Sequence, residues 1–164
     1  MGGEDAAIEP ASVDDVEALA DQWIALAAEQ REFGSHLRAG ANREAMRMML
    51  AARAAEDRAL VAREEGIVGF VTFDLAEGSL VEDAQRGLIE NLYVVPPARD
   101  RGVGSALLSA AETALADAGA DVIAIEAMAD NEAARRLYRR RGYEPRRISY
   151  ERPAGSDNDT RDGD

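Results

Sequence analysis

The segment from Arg99 to Ala106 has the residue types and spacing of an anion-binding loop. An apolar run, Leu88 to Val95, ends at Pro96-Pro97, and the segment then reads Arg99-Asp100-Arg101-Gly102-Val103-Gly104-Ser105-Ala106 before a helix-forming stretch. The first backbone N–H groups of a helix have no partner within the helix and lie at the positive end of its dipole. Because glycine lets a phosphate approach the backbone closely, this loop predicts a phosphate-binding site.

Three classes of phosphate-binding loop compete for this segment. A dinucleotide fingerprint needs a third glycine at the position of Leu107. Such a fingerprint also lies in the first strand–helix unit of its fold, whereas about 100 residues precede this loop. A P-loop NTPase needs Gly-Lys-Ser/Thr, and the chain has no lysine. The pyrophosphate loop of acyl-CoA-dependent transferases fits at Arg99, Gly102 and Gly104. A plain helix start with glycines at the turn is the simpler interpretation that stays open on the loop alone.

A second signature lies downstream. Asn131 is followed after six residues by Tyr138, after three more by Gly142, and then by Tyr143. A predicted strand, 121–128, precedes it. The two signatures, in this order and separated by a helix and a strand, resemble those of the GNAT N-acetyltransferase superfamily over roughly residues 58 to 150.

The resemblance implies an α/β fold, the GNAT fold, in which a mixed central sheet carries helices on both faces. Two neighbouring strands, near residues 90 and 125, splay apart in that family, and the acyl-pantetheine arm of acetyl-CoA lies in the opening. The backbone amide of Val94 is the implied donor to the thioester oxygen. The implied cofactor-binding residues are Leu92, Tyr93, Val94, Arg99, Asp100, Arg101, Gly102, Val103, Gly104, Ser105, Ala106, Asn131 and Tyr138.

The implied activity is transfer of an acetyl group from acetyl-CoA to a primary amine of a small cationic acceptor, by direct attack on the thioester. A protein N-terminal or lysine acetyltransferase is the alternative, and a non-catalytic acyl-CoA-binding regulatory module on the same fold is a further one. Fold resemblance alone does not identify the acceptor. Dimerisation is common in the family, so a homodimer is an expectation of the same kind.

Acetyl transfer to an amine needs a base for an ammonium of pKa near 10 and a proton donor for the leaving thiolate. Glu90 is one candidate base, because a carboxylate in an apolar strand is costly to bury unless it is used or paired. Glu126 is the other, and its offset of five residues before Asn131 resembles the catalytic glutamate of ribosomal-protein alanine acetyltransferases. Pairing with an arginine is the structural alternative for each. Tyr138 is by resemblance the general acid, and a packed core tyrosine is the alternative.

Two further residues are candidates for contact with the acceptor. His36 lies between Gly34 and Gly40, in a break between two predicted helices that borders the acceptor site in this fold. Trp23 lies on the apolar stripe of the first predicted helix, as a core residue or a pocket wall. A basic run at 135–141 fits either the 3′-phosphate of the cofactor or a solvated face.

The amino-acid composition excludes several kinds of chemistry and disfavours nucleic-acid binding. The 32 acidic residues against 19 basic ones give a net charge of −13, which disfavours nucleic-acid binding. The chain has no cysteine, no lysine and one histidine, so disulfides, cysteine-ligated zinc and Schiff-base chemistry are excluded and no metal is expected. An acidic chain without lysine resembles haloarchaeal proteins, because concentrated salt screens acidic self-repulsion; a GC-rich genome is the alternative.

The predicted elements alternate along the chain. We predict one domain over residues 1–152, with strands at 5–10, 60–63, 67–75, 88–95, 121–128 and 143–152, and helices after Ser12, after Asn42, at 103–118 and at 131–141. Ala45, Met49 and Ala52 lie on one side of the second helix. Residues 153–164 are predicted to be a disordered acidic tail. No apolar run approaches the roughly 18 residues of a membrane span, and residues 1–14 lack the apolar core of a secretory signal, so we expect a cytoplasmic protein.

Overall fold

The computed structural model describes residues 6–155, so most of the predicted acidic tail, 156–164, lies outside the described residues. The described chain forms strands β1 Ala7–Pro10, β2 Ala59–Arg63, β3 Ile67–Leu75, β4 Arg86–Val94 and β5 Val122–Ile125. Its α-helices are α1 Val16–Glu32, α2 Arg43–Ala55, α3 Val103–Asp117 and α4 Glu132–Arg140.

The five strands form one mixed sheet in chain order, antiparallel from β1 to β4 and parallel between β4 and β5. Alternation along the strands divides the core in two, because successive side chains point to opposite faces. Val61 and Phe70 pack with α1 and α2, whereas Ala62 and Val71 pack with α3. The predicted α/β architecture, a mixed sheet with helices on both faces, is confirmed.

A β-bulge lies in the middle of β4. Asn91 pairs with Thr72 and Ile89 pairs with Phe73, so Glu90 is an extra residue with no partner in β3. Ile89 and Leu92 both pack on the α3 side although they are three residues apart. The two residues between them, Glu90 and Asn91, therefore share the side of the sheet that faces α2.

The pairing between β4 and β5 is short. It runs from Arg86 opposite Val122 to Ile89 opposite Ile125 and ends there, at the residue before the bulge. A bulge bends its strand and increases the local twist, which carries the second half of β4 away from β5. The edge of β4 from Asn91 to Val94 is consequently unpaired on the β5 side.

Two predicted features differ from the structure. The fifth strand spans only 122–125 rather than 121–128. The predicted last strand, 143–152, is wrong: residues 143–155 are irregular, and Ile148 and Tyr150 are 70% and 87% exposed. Alternation there places Pro145 and Arg147 on one side and Arg146 beside Ile148 on the other, so neither side is apolar enough to pack against a core.

Ala45, Met49 and Ala52 share one side of α2, as their spacing predicts. That side faces solvent, and the buried residues of this helix are Leu50 and Ala54.

Candidate active site

The loop between β4 and α3 presents a row of unpaired backbone donors. Among the described residues, no acceptor binds the backbone N–H groups of residues 100–105, and the first helical bond runs from the Ala106 N–H to the Gly102 oxygen, at 3.0 Å. Asp100 and Gly102 have φ of 63° and 83°, the left-handed region, so the chain curls around a concave row of donors. This geometry is what the sequence predicts for a phosphate site.

The side chain of Arg99, which is predicted to bind the cofactor, contacts α1 and β4 in the structure. Its Nε donates to the Val94 oxygen at 2.8 Å, and its Nη2 pairs with Glu29 of α1 at 2.7 Å. Its guanidinium also lies 5.5 Å from the centre of the Tyr93 ring. Arg99 thus fastens the loop to α1 and β4, and the donors available to an anion come from the backbone that follows it.

The free edge of β4 also offers a donor. Val95 N–H donates to the Val68 oxygen on β3, at 2.9 Å. Successive amides in a strand point to opposite edges, so the N–H of Val94 points towards the opening between β4 and β5. An amide there is suited to hydrogen-bond a carbonyl oxygen on which negative charge develops.

Helix α4 brings Tyr138 beside this edge. Asn131 caps the helix, its Oδ1 accepting from the Ala134 N–H at 3.1 Å, and Leu137 lies 3.7 Å from the position of a Cβ on Gly104. The Tyr138 ring packs on the α3 side of the core, and no hydrogen bond to its hydroxyl is found among the residues described. Burial raises the pKa of Tyr138 to about 12, so the phenol stays protonated and able to donate.

The two candidate bases occupy equivalent positions on the two strands. Glu90 and Glu126 directly follow Ile89 and Ile125, the last residues at which β4 and β5 pair. Both carboxylates therefore stand where the strands begin to part. Glu126 is exposed and makes no ion pair or hydrogen bond with the part of the chain that the structure describes.

Glu90, in contrast, is tightly paired with Arg53 of α2. Arg53 Nε and Nη2 donate to the two carboxylate oxygens at 2.8 Å each, and the two side chains are only 15% and 22% exposed. The hydrogen bond to Glu90 raises the pKa of Arg53 further above its usual range. Arg53 also lies 3.4 Å from Asp74 of β3 and 3.6 Å from Glu56.

Sequence reasoning missed several polar residues on this side of the sheet. They are Arg53, Arg58, Thr72 and Asp74. Arg58 pairs with Asp74, and Thr72 Oγ1 accepts from Asn91 Nδ2 at 2.9 Å. One signal was present for Arg53: it lies three residues after Leu50 and next to Ala54, on the buried side of an otherwise polar helix. Arginine at such a position requires a buried partner.

The two expected acceptor contacts differ in burial. Trp23 is 4% exposed and packs in the core between α1 and the sheet, which is the core alternative of its prediction, so the expected substrate contact is corrected. His36 lies in the turn between α1 and α2, and its Nε2 pairs at 2.8 Å with Glu151 of the irregular C-terminal segment. Gly34 in the same turn is within van der Waals reach of Met128, which follows β5.

A depression of about 800 Å³ lies at the other end of the sheet from the glycine loop. Its lining includes Glu77, Glu82, Asp83 and Asp121. Among residues 6–155, no group of three or more His, Cys, Asp or Glu side chains is arranged to hold a metal ion.

The fold and the loop define an acetyltransferase of the GNAT class, and comparison with known proteins agrees. The model of the acetyltransferase (GNAT) family matches residues 21–143, and the chain belongs to that family. An uncharacterized N-acetyltransferase of Bacillus subtilis, YhfO, is 36% identical over 86 residues. That match covers 52% of this chain and 57% of YhfO.

Solved structures show the same fold. A GCN5-related N-acetyltransferase from Ralstonia eutropha superposes with a TM-score of 0.72 at 28% identity, over 91% of this chain and 99% of that one. The structure of AAC(6′)-Iy in complex with a bisubstrate analogue, CoA-S-monomethyl-acetylneamine, superposes with a TM-score of 0.67 at 16% identity, covering 93% and 100% of the two chains. None of the helices within residues 6–155 has the length and apolar character needed to cross a bilayer.

Proposed function

We propose that this protein transfers the acetyl group of acetyl-CoA to the primary amine of a small cationic acceptor. The observation that carries the proposal is the parting of β4 and β5 immediately after Ile89 and Ile125, beside the unpaired N–H groups of residues 100–105. The donors of the loop suit a pyrophosphate, and the unpaired edge of β4 suits the amide groups of a pantetheine arm. Family membership supports acetyl-CoA as the donor.

The reaction assigns a role to each polar group of the opening. Glu126, which has no competing partner among the described residues, takes a proton from the acceptor's ammonium, directly or through water, and leaves a neutral amine. The amine attacks the thioester carbon, a C–N bond forms, and the Val94 N–H stabilises the charge on the carbonyl oxygen. The C–S bond then breaks, Tyr138 donates its proton to the sulfur to give free CoA, and the phenolate regains a proton from the nitrogen of the new amide.

The charge on the α2 side of the sheet supports a cationic acceptor. Three carboxylates, those of Glu56, Asp74 and Glu90, share two guanidiniums, those of Arg53 and Arg58. One negative charge is left over beside the opening. A residual negative charge of this kind attracts an ammonium ion and raises its local concentration.

A protein N-terminal or lysine acceptor is the second candidate. The exposed position of Glu126, at the rim after β5, favours it, since a peptide amine reaches an exposed carboxylate without entering a closed pocket. A non-catalytic acyl-CoA-binding module is the third. We further propose a cytoplasmic protein adapted to concentrated salt, because a net charge of −13 repels itself less where the Debye length is short.

The test is an assay of CoA release with a panel of diamines, aminoglycosides and peptides, run in low and in molar KCl. We expect turnover with small polycationic amines, and higher folded stability in KCl. Turnover of peptides alone selects the second candidate. Tight binding of acetyl-CoA with no turnover of any amine selects the third, and equal stability in both salts contradicts the adaptation to salt.

The glycine loop offers a sharper test of cofactor binding. Replacing Gly102 by Ala is expected to raise the dissociation constant of CoA at least about tenfold, because a side chain at φ 83° strains the backbone that presents the row of donors. Gly119→Ala is the matched control: Gly119 follows the other end of α3, has φ of 104° and likewise has open space around it. Both variants are expected to lose similar stability, about 1 kcal/mol. Equal CoA affinity in the two variants, measured by isothermal titration calorimetry, contradicts a cofactor site at this loop.

A further inference from the structure

The pairing of Arg53 with Glu90 is not explained by the reaction alone. We infer that Arg53 is a positioning residue for the acceptor: it holds the carboxylate of Glu90 as a fixed anion beside the opening, so that Glu90 binds the acceptor's ammonium and does not remove its proton. The inference rests on the proposed function, whose acceptor it concerns. It separates the two carboxylates by role, with Glu90 binding and Glu126 accepting the proton.

The geometry of the pair supports a fixed anion. Arg53 uses two N–H groups in parallel, one to each oxygen of Glu90, at 2.8 Å each. A bidentate pair of this kind holds a carboxylate in one orientation and in its ionised form. Each carboxylate oxygen has about two acceptor positions, so each oxygen of Glu90 keeps about one for an ammonium N–H.

The bulge explains why a positioning residue is needed at all. Glu90 has no partner opposite it in β3, so the ladder does not determine where its side chain points. Arg53 supplies that constraint from α2, a helix that packs on the same side of the sheet. The orientation of Glu90 therefore depends on a contact between a helix and a strand that are 37 residues apart in sequence.

The carboxylates around Arg53 attract its guanidinium and hold it beside Glu90. Its Nη1 lies 3.6 Å from Glu56 and its Nη2 lies 3.4 Å from Asp74, while Asp74 also pairs with Arg58. These are the charged groups that face Arg53 and Glu90 from α2, from β3 and from the segment before β2. The cluster has three carboxylates and two guanidiniums, so an ammonium ion that binds here is the third cation. It therefore binds beside Glu90 without displacing Arg53.

The kinetic test compares Arg53→Met, Arg53→Lys and the control Arg47→Met. Arg47 is on the same helix and pairs with Glu44 and with Glu17 of α1, and it makes no ion pair with Glu90, Asp74 or Glu56. We expect Arg53→Met to raise the KM for the acceptor about tenfold or more, with kcat and the KM for acetyl-CoA changed less than about threefold. Arg53→Lys keeps the charge but not the paired geometry, and is expected to fall between Arg53→Met and the wild type.

A double substitution makes the test specific. If Arg53 acts through Glu90, then Arg53→Met combined with Glu90→Gln has the acceptor KM of Glu90→Gln alone, because the single variant has already removed the interaction. Additive effects of the two substitutions, or an acceptor KM in Arg53→Met equal to that of Arg47→Met, overturn the inference. A kcat that falls with an unchanged acceptor KM overturns it as well.

A second readout does not depend on turnover. The carboxyl ¹³C resonance of Glu90, assigned by its absence in Glu90→Gln, is compared at one neutral pH in the wild type, Arg53→Lys, Arg53→Met and Arg47→Met. Removing the two N–H donors changes the surroundings of the carboxylate, so the resonance is expected to move in Arg53→Met and to stay in place in Arg47→Met. An unmoved resonance in Arg53→Met overturns the role of Arg53 even if every amine in the panel fails, whereas a moved resonance with no turnover contradicts only the proposed function.

Discussion

Replacing Tyr138 by Phe is expected to lower kcat about 100-fold, at the lower end of what a positioned general acid contributes. The substitution removes one oxygen atom and leaves the ring, which packs against the α3 side of the core. Because no hydrogen bond to the hydroxyl is found among the described residues, its loss breaks no internal hydrogen bond there and the fold is expected to keep its stability. Stopped-flow or steady-state measurement of CoA release gives kcat, and thermal unfolding gives the stability.

Tyr143→Phe is the matched control for that variant. The two rings lie 6.0 Å apart, but the Tyr143 hydroxyl donates to Glu112 at 2.7 Å. We expect Tyr143→Phe to lose roughly 1–2 kcal/mol of stability, since it leaves a carboxylate with one partner fewer, and to keep kcat within about twofold. The opposite result, a normal kcat in Tyr138→Phe and a reduced one in Tyr143→Phe, removes Tyr138 from the mechanism.

The pH dependence gives a further check on Tyr138. Burial holds its pKa at about 12, so the donor stays protonated while a free amine deprotonates near pH 10. Activity of the wild type is therefore expected to rise with pH up to about 10 without a fall caused by Tyr138. The same profile is expected in Tyr138→Phe, at lower kcat.

Replacing Glu126 by Gln is expected to lower kcat about 100-fold near neutral pH. The defect is expected to shrink as the pH approaches about 10, because an amine that is already neutral needs no base. Asp130→Asn is the matched control, since it removes the same charge four residues later in the same exposed segment between β5 and α4. It is expected to keep the wild-type pH profile.

Glu90→Gln and Glu126→Gln are expected to change different kinetic parameters. The acceptor KM rises while kcat changes less, because Glu90 is held by Arg53 and serves binding. If Glu90→Gln instead loses kcat at neutral pH and recovers it at high pH, with Glu126→Gln unaffected, then Glu90 is the base and the roles assigned to the two carboxylates are reversed.

The sequence predicted those parts of the site that backbone conformation determines locally. The phosphate loop follows from Gly102 and from the helix start after it, because the left-handed φ and the unpaired N–H groups depend only on neighbouring residues. The cap at Asn131 and the placement of Tyr138 two turns along α4 follow from helical spacing in the same way. The element order follows from hydrophobic periodicity, and the mixed sheet from the resemblance to the GNAT family.

The sequence failed where a residue's role depends on what lies opposite it. The strand predicted at 143–152 needs a partner and an apolar side, and it has neither in the described chain. The spacing of Ala45, Met49 and Ala52 placed them on one side of α2, but only the packing of the helix decides that this side faces solvent. For Trp23 the sequence left a core residue and a pocket wall open, and its packing decides for the core.

The sequence by itself determined the family and the conformation of the glycine loop, since both depend on short segments whose structure is set by neighbouring residues. Only the tertiary structure decided how the two carboxylates differ. A one-residue bulge in β4 and a helix 37 residues earlier in the chain bring Arg53 onto Glu90, while Glu126 finds no partner among the described residues. Their electrostatic environments are set by contacts between distant segments, and no pattern within either strand encodes them.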